Sequence, residues 1–253
     1  MLITNDVKNV LGCSRVEGNK LFLTDQLERN LYVRANKVLE AAGAKWNRKE
    51  KAHIFNADAA ERIDQMILTG AIEIPRDIYN FFPTPLPLIN KMVESAAPAA
   101  GERVLDPEFG DGRILFAVLK AAPDALIYGV ELNDERFNQV QANSVLSQKA
   151  NLTHGDFLEF NPEDKFDVIL MNPPFLFRSD IKHVMHALEL LKPTGRLQAV
   201  MSSGVVFRED NLTKLLRERV KLLGGTITPL PAETFKDAGT KVSTVRLEID
   251  LRG

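Results

Sequence analysis

The chain has a single cysteine, Cys13, among its 253 residues. One cysteine can form neither an internal disulfide nor a thiolate cluster for zinc, so we expect neither. The longest apolar runs have the length of a β-strand and fall far short of the ~20 residues that a membrane-spanning helix needs. The N-terminus has no basic segment followed by an apolar stretch, so we predict no signal peptide and a cytoplasmic location.

Neither positive nor negative charge predominates in the sequence. The sequence has 32 basic and 34 acidic residues, for a net charge of −2. This balance gives no global positive field that would attract nucleic acid, so any electrostatic contact with nucleic acid must be local. Repeats and low-complexity tracts are absent as well. The apolar content of 45% is enough for one large core and a small accessory unit.

Two common nucleotide-binding motifs are missing from the sequence, the dinucleotide fingerprint G-x-G-x-x-G and the phosphate loop G-x-x-x-x-G-K-[ST]. A different glycine loop is present. A short predicted strand at 103–106 is followed by the turn PEFGDG at 107–112, and apolar residues at helical spacing then run from Arg113 to Ala122. A strand, a glycine loop and a helix in this order let the backbone approach a nucleotide-like ligand at the helix N-terminus.

Acidic residues end this strand and the next two. Asp106 ends the first, and Glu131 ends a second predicted strand at 126–131, about 20 residues after the glycine loop. An acid at that position can accept hydrogen bonds from two ribose hydroxyls. Asp156, after a third strand, is placed to accept one from an adenine amine. A helix cap explains each acid equally well when it is taken alone, but the series favours a ligand site.

The tetrapeptide Asn172-Pro173-Pro174-Phe175 directly follows a fourth apolar strand at 166–171. The two prolines fix φ and remove two backbone donors, which makes the loop stiff. The amide oxygen of Asn172 and the carbonyl of Pro173 can then accept both hydrogens of one planar amine, while Phe175 stacks on the ring that carries it. The pattern predicts a site that makes an exocyclic nitrogen nucleophilic. An ordinary strand-ending turn is the alternative.

The ordered motifs of the chain resemble those of the S-adenosylmethionine-dependent amino-methyltransferases, in particular the adenine-specific DNA methyltransferases with an NPPF or NPPY motif. These motifs are FFPTP (81–85), VLDPEFGDG (104–112), GVE (129–131), GDF (155–157) and NPPF (172–175). The resemblance runs from about Tyr79 to the C-terminus and includes FKDAGT at 235–240. One departure is visible, because Glu108 and Phe109 stand where most members have small residues.

The resemblance implies S-adenosyl-L-methionine as the cofactor and a mechanism without a covalent enzyme intermediate. The segment Phe82–Pro85 and the Gly110–Gly112 loop would hold the methionine part, with Asp106 facing its ammonium. Glu131 would bind the ribose and Asp156 the adenine. The implied cofactor-binding residues are Phe82, Thr84, Pro85, Asp106, Pro107, Gly110, Gly112, Glu131, Leu132, Asp156, Phe157 and Asn172.

The implied catalytic residues are Asn172, Pro173, Pro174 and Phe175, acting on an adenine that has left the stack of the DNA duplex. The same polar pocket suits the guanine amine of structured RNA or a glutamine amide of a protein, and both stay open as substrates. Phe175 argues mildly against glutamine, whose methyltransferases carry a tyrosine version of the motif. A third alternative is a binding module that keeps the fold without the activity.

Strands that alternate with helices after residue 76 predict a Rossmann-like α/β methyltransferase sheet, mostly parallel with a closing antiparallel C-terminal strand. The later elements are a helix at 180–191, a strand at 196–201, a helix at 209–223 and strands at 226–230 and 242–251. His183 and His186 lie at i, i+3 on the first of these helices. Without a thiol or a third ligand nearby they predict a helix surface facing the substrate cleft and no metal site.

Residues 1–75 have a different character and predict a small α+β unit, separated from the domain at 76–253 near Ile74-Pro75-Arg76. The predicted elements are a strand at 21–23, a helix at 26–42, a basic hairpin at 44–55 and a helix at 57–68. This unit is small for a recognition module, so we expect weak or short-site sequence specificity unless a partner subunit or a homodimer reads the target.

The predicted hairpin is the best candidate for contact with nucleic acid, and we expect that nucleic acid to be DNA. It carries the only tryptophan of the chain among four cations; these residues are Lys45, Trp46, Arg48, Lys49 and Lys51. One interpretation is a solvated turn with Trp46 as a core anchor. The other is a patch that contacts phosphates and stacks a base.

Overall fold

The computed structural model describes residues 2–24, 26–56, 58–72, 82–175, 178–235 and 243–252. These residues form a four-stranded sheet that ends before residue 73 and a seven-stranded sheet that begins after residue 81. The predicted boundary near residue 75 lies outside the described residues. So do Phe81 of the first motif and residues 236–240 of the last, and the division into two domains stays a prediction.

The N-terminal unit packs three helices against an antiparallel sheet of order β1-β2-β4-β3. Its elements are α1 (Asn5–Cys13), β1 (Arg15–Glu17), β2 (Lys20–Phe22), α2 (Arg29–Ala41), β3 (Lys45–Asn47), β4 (Ala52–Ile54) and α3 (Ala59–Thr69). The sequence analysis missed α1 and β1. With only Val7 and Leu11 as its buried apolar residues, α1 shows too little helical periodicity to stand out.

The larger sheet is covered by helices on both faces. Its first elements are α4 (Leu86–Ala96), β5 (Arg103–Asp106), α5 (Arg113–Ala121), β6 (Leu126–Glu131), α6 (Asp134–Gln141), α7 (Ser144–Lys149) and β7 (Ala150–His154). A short 3₁₀ helix (Phe157–Glu159) comes next. The chain continues with β8 (Phe166–Met171), α8 (Ser179–Leu190), β9 (Leu191–Ser202), α9 (Gly204–Phe207), α10 (Asn211–Leu222), β10 (Thr226–Pro229) and β11 (Thr244–Asp250).

The strand order is β10-β11-β9-β8-β5-β6-β7, parallel from β9 to β7 and antiparallel at β11 and β10. This confirms the predicted Rossmann-like fold. The chain runs outward from β5 to β7 and then crosses back to β8, so the strand order reverses between β5 and β8. Ligands of open α/β sheets bind outside the carboxyl ends of the strands at such a reversal.

The strands of this sheet bury both faces. Val104 and Val168 contribute to one apolar core with α4 and α5, while Leu105 and Ile169 contribute to a second core with α8 and α10. Side chains alternate along a strand, so consecutive apolar residues fill opposite cores. This explains the continuous apolar runs of β5 and β8. No helix in the described ranges is long and apolar enough to cross a bilayer.

A buried ion pair connects the N-terminal unit to the larger sheet. Arg208, just after α9, lies 2.6 Å from Asp64 of α3, and both side chains are only 6% exposed. Lys8 of α1 donates a hydrogen bond of 2.8 Å to Ser243, which precedes β11. A buried charge is costly when its partner is removed, so these contacts fix how the unit sits on the sheet.

Asp180 in the first turn of α8 connects this helix to β9. Its carboxylate is fully buried and accepts the backbone N–H groups of Ile181 at 3.0 Å and Ser202 at 2.9 Å. Burial raises the pKa of Asp180 to about 6, although the two hydrogen bonds and Arg208 oppose this change.

The raised pKa of Asp180 predicts a pH-dependent stability. The unfolded chain ionises at the ordinary pKa, so ionisation favours unfolding as the pH rises toward 6. Relative to Asp180→Asn, the wild-type free energy of unfolding should fall by about 2 kcal/mol between about pH 4.5 and pH 7.5. Urea unfolding at both pH values measures this, with exposed Asp124→Asn as the control that should follow the wild type. A constant gap between wild type and Asp180→Asn would contradict it.

Candidate functional site

A cavity of about 470 Å³ lies against the carboxyl ends of β5, β6, β7 and β8, within the size range of small-molecule sites. Each of the four strand-ending segments contributes to its wall. The lining residues are Phe82, Pro107, Glu108, Glu131, Leu132, Asn133, Asp134, Arg136, Gly155, Asp156, Phe157, Asn172, Pro173, Pro174, Phe175 and His183. The cavity therefore brings together the segments that the sequence analysis selected.

Asn172 is held in one orientation by the segment that precedes α4. Its Nδ2 donates hydrogen bonds to the carbonyl of Phe82 at 2.8 Å and to Oγ1 of Thr84 at 2.9 Å. Its Oδ1 is buried and has no hydrogen-bond partner among the described residues. An unsatisfied buried acceptor is costly, so this amide oxygen is available for a donor that enters the cavity.

An aromatic pair forms the wall beside Asn172. The rings of Phe82 and Phe175 stack with centroids 5.9 Å apart and an interplanar angle of 18°. Phe175 is 4% exposed. An aromatic ligand beside Asn172 would therefore meet a preformed aromatic wall, and not a free phenylalanine ring.

Glu131 and Asp156 line the cavity but also make local hydrogen bonds. Glu131 accepts the N–H groups of Gly110 at 2.9 Å and Asn133 at 2.8 Å. Asp156 accepts the N–H of Leu158 at 2.9 Å and so caps the 3₁₀ helix. A carboxylate has about four lone-pair positions, so the capping role and a ligand role are compatible.

Asp106 is buried behind the cavity wall and is not one of its lining residues. Neither carboxylate oxygen makes a hydrogen bond of good geometry to the described residues. Burial raises the pKa of Asp106 well above its ordinary value, and the nearby carboxylates of Glu108 and Glu131 raise it further. Among the described residues, Asp106 therefore has neither a hydrogen-bond partner nor a basic side chain paired with it.

Glu108 forms an ion pair with His183, which the sequence analysis did not predict. Oε1 of Glu108 contacts Nδ1 of His183 on α8, and both residues line the cavity. Burial raises the pKa of Glu108, and the hydrogen bond with His183 opposes this increase. The sequence signalled each partner separately, Glu108 by its departure from the family and His183 by its predicted place at the cleft.

The remaining predicted residues lie around the cavity, not in its wall. Thr84, Pro85, Asp106, Gly110 and Gly112 are absent from the lining, although Thr84 orients Asn172. Phe109, the second departure from the family, points into the core, where its ring would lie 2.7 Å from a Cβ on Gly129. It leaves the cavity open. His186 bonds to the carbonyl of Phe160 at 3.0 Å, away from the lining.

Among the described residues, no group of three or more histidine, cysteine and acidic side chains is arranged to hold a metal ion.

Gly112 is explained by packing and backbone geometry. It has a φ of 80°, and a Cβ there would lie 2.9 Å from Cδ1 of Leu146 on α7. Gly101 has a similar φ of 77°, but a Cβ there would have open space around it. The two glycines thus separate the cost of left-handed backbone from the cost of crowding.

We expect Gly112→Ala to destabilise the protein more than Gly101→Ala. The left-handed conformation alone should cost Gly101→Ala about 1 kcal/mol. Contact with Leu146 should add about 1–2 kcal/mol at Gly112. Urea unfolding of the two variants measures the difference, and equal costs would mean that α7 yields to the added methyl group.

Residues 88–222, more than half of the chain, match the family described as the methyltransferase small domain. The chain belongs to this methyltransferase family. The predicted resemblance to S-adenosylmethionine-dependent amino-methyltransferases is confirmed, and S-adenosylmethionine is the cofactor. The residues in and directly behind the cavity wall fit it. Its ammonium and sulfonium are positive charges, and Glu108 in the wall and Asp106 behind the wall have carboxylate oxygens without a hydrogen-bond partner among the described residues.

Curated relatives match part of this chain. A release factor glutamine methyltransferase of Gloeobacter violaceus is 29% identical over 136 residues, covering 53% of this chain and 46% of the relative. A tRNA1(Val) (adenine(37)-N6)-methyltransferase of Dyadobacter fermentans is 33% identical over 117 residues, covering 38% and 48%. The chain thus spans about half the length of these two relatives.

Solved structures agree on the fold. The methyltransferase subunit of a type I restriction-modification system from Streptococcus thermophilus superposes with a TM-score of 0.61 at 23% identity, covering 69% of this chain and 46% of that one. The M protein of the type I restriction enzyme EcoKI gives 0.60 at 18% identity, covering 96% and 56%. At these identities the likeness establishes the methyltransferase fold.

Proposed function

We propose that this protein transfers the methyl group of S-adenosylmethionine to the exocyclic amine of adenine in DNA. The observation that carries this proposal is the buried Oδ1 of Asn172, which lacks a partner while Nδ2 is fixed by Phe82 and Thr84. An acceptor fixed beside an aromatic wall suits a planar ring that bears an amine. The loop of the NPPF motif provides both features.

The cofactor supplies an activated methyl group, so the protein needs only to position and polarise the amine. Asn172 Oδ1 and the carbonyl of Pro173 accept the two amine hydrogens. This leaves the nitrogen lone pair free for in-line attack. The nitrogen gains the methyl group, the bond from carbon to sulfur breaks with its electrons going to sulfur, and one amine proton is released. The wall formed by Phe82 and Phe175 holds the flipped base in place.

The cofactor-binding roles follow the placement of the acids. Glu131 binds the ribose hydroxyls and Asp156 the adenine edge, each through lone pairs that its local hydrogen bonds leave available. Asp106 acts on the ammonium from behind the wall, as a charge or through water. Leu132 is 66% exposed beside Glu131 and offers an apolar surface to the adenine ring.

The basic hairpin is proposed as the contact with the DNA backbone. Trp46 lies on the edge strand β3 and is 49% exposed, which favours the stacking role over that of a core anchor. Glu50, the acid within the hairpin, pairs with Lys20 of β2 at 2.7 Å. None of Lys45, Arg48, Lys49 and Lys51 forms an ion pair with a described acidic residue. Their charges are therefore available to phosphates.

A protein glutamine amide is the second candidate substrate. The match to a release factor glutamine methyltransferase favours it, because this match is longer than the match to the tRNA-modifying relative, 136 residues against 117. Adenine in RNA is favoured by the tRNA-modifying relative. Phe175 and the basic hairpin favour a nucleobase over glutamine. Transfer of tritiated methyl groups to unmethylated DNA, bulk RNA and extracted protein separates the three, and label on DNA alone is the expected result.

Asn172→Ala should abolish methyl transfer while leaving cofactor binding nearly unchanged. The substitution removes the acceptor of the amine hydrogen, and the expected loss of rate is about 100-fold or more. Isothermal titration calorimetry with S-adenosylmethionine provides the control. Thr84→Val is a milder variant that removes one of the two hydrogen bonds that orient the Asn172 side chain. Substantial transfer by Asn172→Ala would exclude the proposed role.

Removal of three hairpin cations should weaken binding to DNA in a salt-dependent way. In the variant with Arg48, Lys49 and Lys51 changed to Ala, each lost phosphate contact should reduce the slope of log affinity against log salt by about 0.7–0.9. Fluorescence anisotropy with DNA at several salt concentrations measures the slope. A triple Ala variant of the exposed Lys120, Lys149 and Lys221, far along the chain, is the matched control. An unchanged slope in the hairpin variant would rule out the patch.

We infer that target reading is weak or short-site, because the hairpin contacts proposed here are to phosphates, which carry no sequence information. A partner subunit or a second copy of the chain would be needed for a longer site. Sequencing around the methylated adenines measures the length of the target site, and a single long motif would contradict weak specificity. A cytoplasmic location stays a prediction.

A further inference from the structure

Glu108 is an acid that the family pattern does not require, and it lies in the wall of the cofactor cavity. Its Oε1 contacts His183, while its Oε2 is buried and has no hydrogen-bond partner among the described residues. An ion pair built only for stability would satisfy both oxygens. The unpaired oxygen points to a missing partner.

The charges around Glu108 indicate the sign of that partner. Glu131 and Asp156 act on the ionisation of Glu108, and Glu108 in turn interacts with Asp106, which also lies near Asp111 of the glycine loop. The cations nearby are partly committed, with Arg113 paired to Asp111 and Arg136 lying 3.5 Å from Glu131. Within the described ranges, His183 is the basic side chain that contacts Glu108. The environment therefore favours a cation at the unpaired oxygen.

We propose that Glu108 contacts the cofactor through Oε2 and selects it by the positive charge of its sulfonium. His183 holds the carboxylate in place and opposes the burial that disfavours its ionised form, while the free oxygen faces the cofactor. The product S-adenosylhomocysteine is a neutral thioether at the same position. Loss of the methyl group thus removes the attraction at the moment of reaction, which favours exchange of product for fresh cofactor.

This inference rests on the cofactor of the family and not on the proposed DNA substrate. Its test measures cofactor binding alone. A protein that does not methylate DNA would therefore overturn the proposed function and leave this proposal intact. A charge interaction across one contact in a partly buried site is expected to change affinity by about tenfold. The probes are S-adenosylmethionine, S-adenosylhomocysteine and an analogue with an amine at the sulfonium position.

Isothermal titration calorimetry of the full chain measures all three affinities. Glu108→Gln, which keeps the shape of the side chain, should weaken the two cationic ligands about tenfold and the neutral product less than about threefold. The matched control is Glu159→Gln, an exposed acid of the 3₁₀ helix outside the cavity wall. It should leave all three affinities unchanged.

The wild type offers a test that needs no variant. The preference for the cofactor over its product should increase as the pH rises through the raised pKa of Glu108, because the protonated acid is neutral. In Glu108→Gln the carboxyl of residue 108 no longer contributes, and Asp106, Asp111, Glu131, Asp156 and His183 remain among the described groups around the site, so the increase should be smaller. In His183→Gln the increase should shift to higher pH, since the histidine no longer favours the ionised carboxylate.

Equal weakening of all three ligands in Glu108→Gln would overturn charge selection and leave Glu108 as a residue that shapes the cavity. Unchanged affinities would overturn the contact itself. Should Glu108→Gln fail to fold by circular dichroism, Glu108→Ala and the wild-type pH series decide the question in the same way. A wild-type preference that does not vary with pH would overturn the proposal on its own.

Discussion

The site depends on the parallel pairing of β5 with β6 on one side and with β8 on the other. Parallel neighbours place their carboxyl ends at the same edge of the sheet, so residues that are far apart in sequence meet there. Asp106, Glu131 and Asn172 are brought together in this way, and a further parallel pair adds the segment of Asp156. A glycine loop alone would bind only one part of the cofactor, whereas this edge provides a series of groups along it.

The same arrangement places like charges close together. Burial and repulsion from neighbouring carboxylates raise the pKa values of Asp106 and Glu108, which means that their ionised forms are disfavoured until a cation arrives. A raised pKa is a free-energy cost in the folded state. The site is therefore complementary to a positively charged ligand at the expense of the unliganded protein. The fixed amide of Asn172 likewise carries a cost in the unliganded protein, because its Oδ1 stays without a hydrogen-bond partner until a donor binds.

The sequence predicted correctly those parts of the site that depend on short, continuous stretches of the chain. The strands at 103–106 and 126–131 have the predicted bounds, because apolar runs that end in an acid or a glycine leave little choice of register. The start of β9 was wrong by five residues, since Leu191–Gly195 resembles a helix end but joins the sheet. Side-chain direction was not predictable. Asp106 lies behind the wall and Phe109 in the core, and neither is decided by strand periodicity once the chain enters a turn.

Contacts between distant residues were beyond the sequence patterns. Asn172 binds a carbonyl 90 residues away, and Glu108 meets His183 at a separation of 75 residues. Each pair joins two loops whose approach depends on the whole sheet. The docking of the N-terminal unit has the same origin, because Asp64 and Arg208 lie on different units and their charges give no local signal.

Arg208 of this buried ion pair directly follows α9, and its guanidinium also interacts electrostatically with Asp180 of α8. Since α8 also carries His183, the helix that lines the cavity and the unit with the basic hairpin are connected through the same Arg208. A nucleic acid bound by the hairpin would therefore contact a unit that is joined through this ion pair to the wall of the cavity. Binding of the phosphates and positioning of the base are then expected to be coupled.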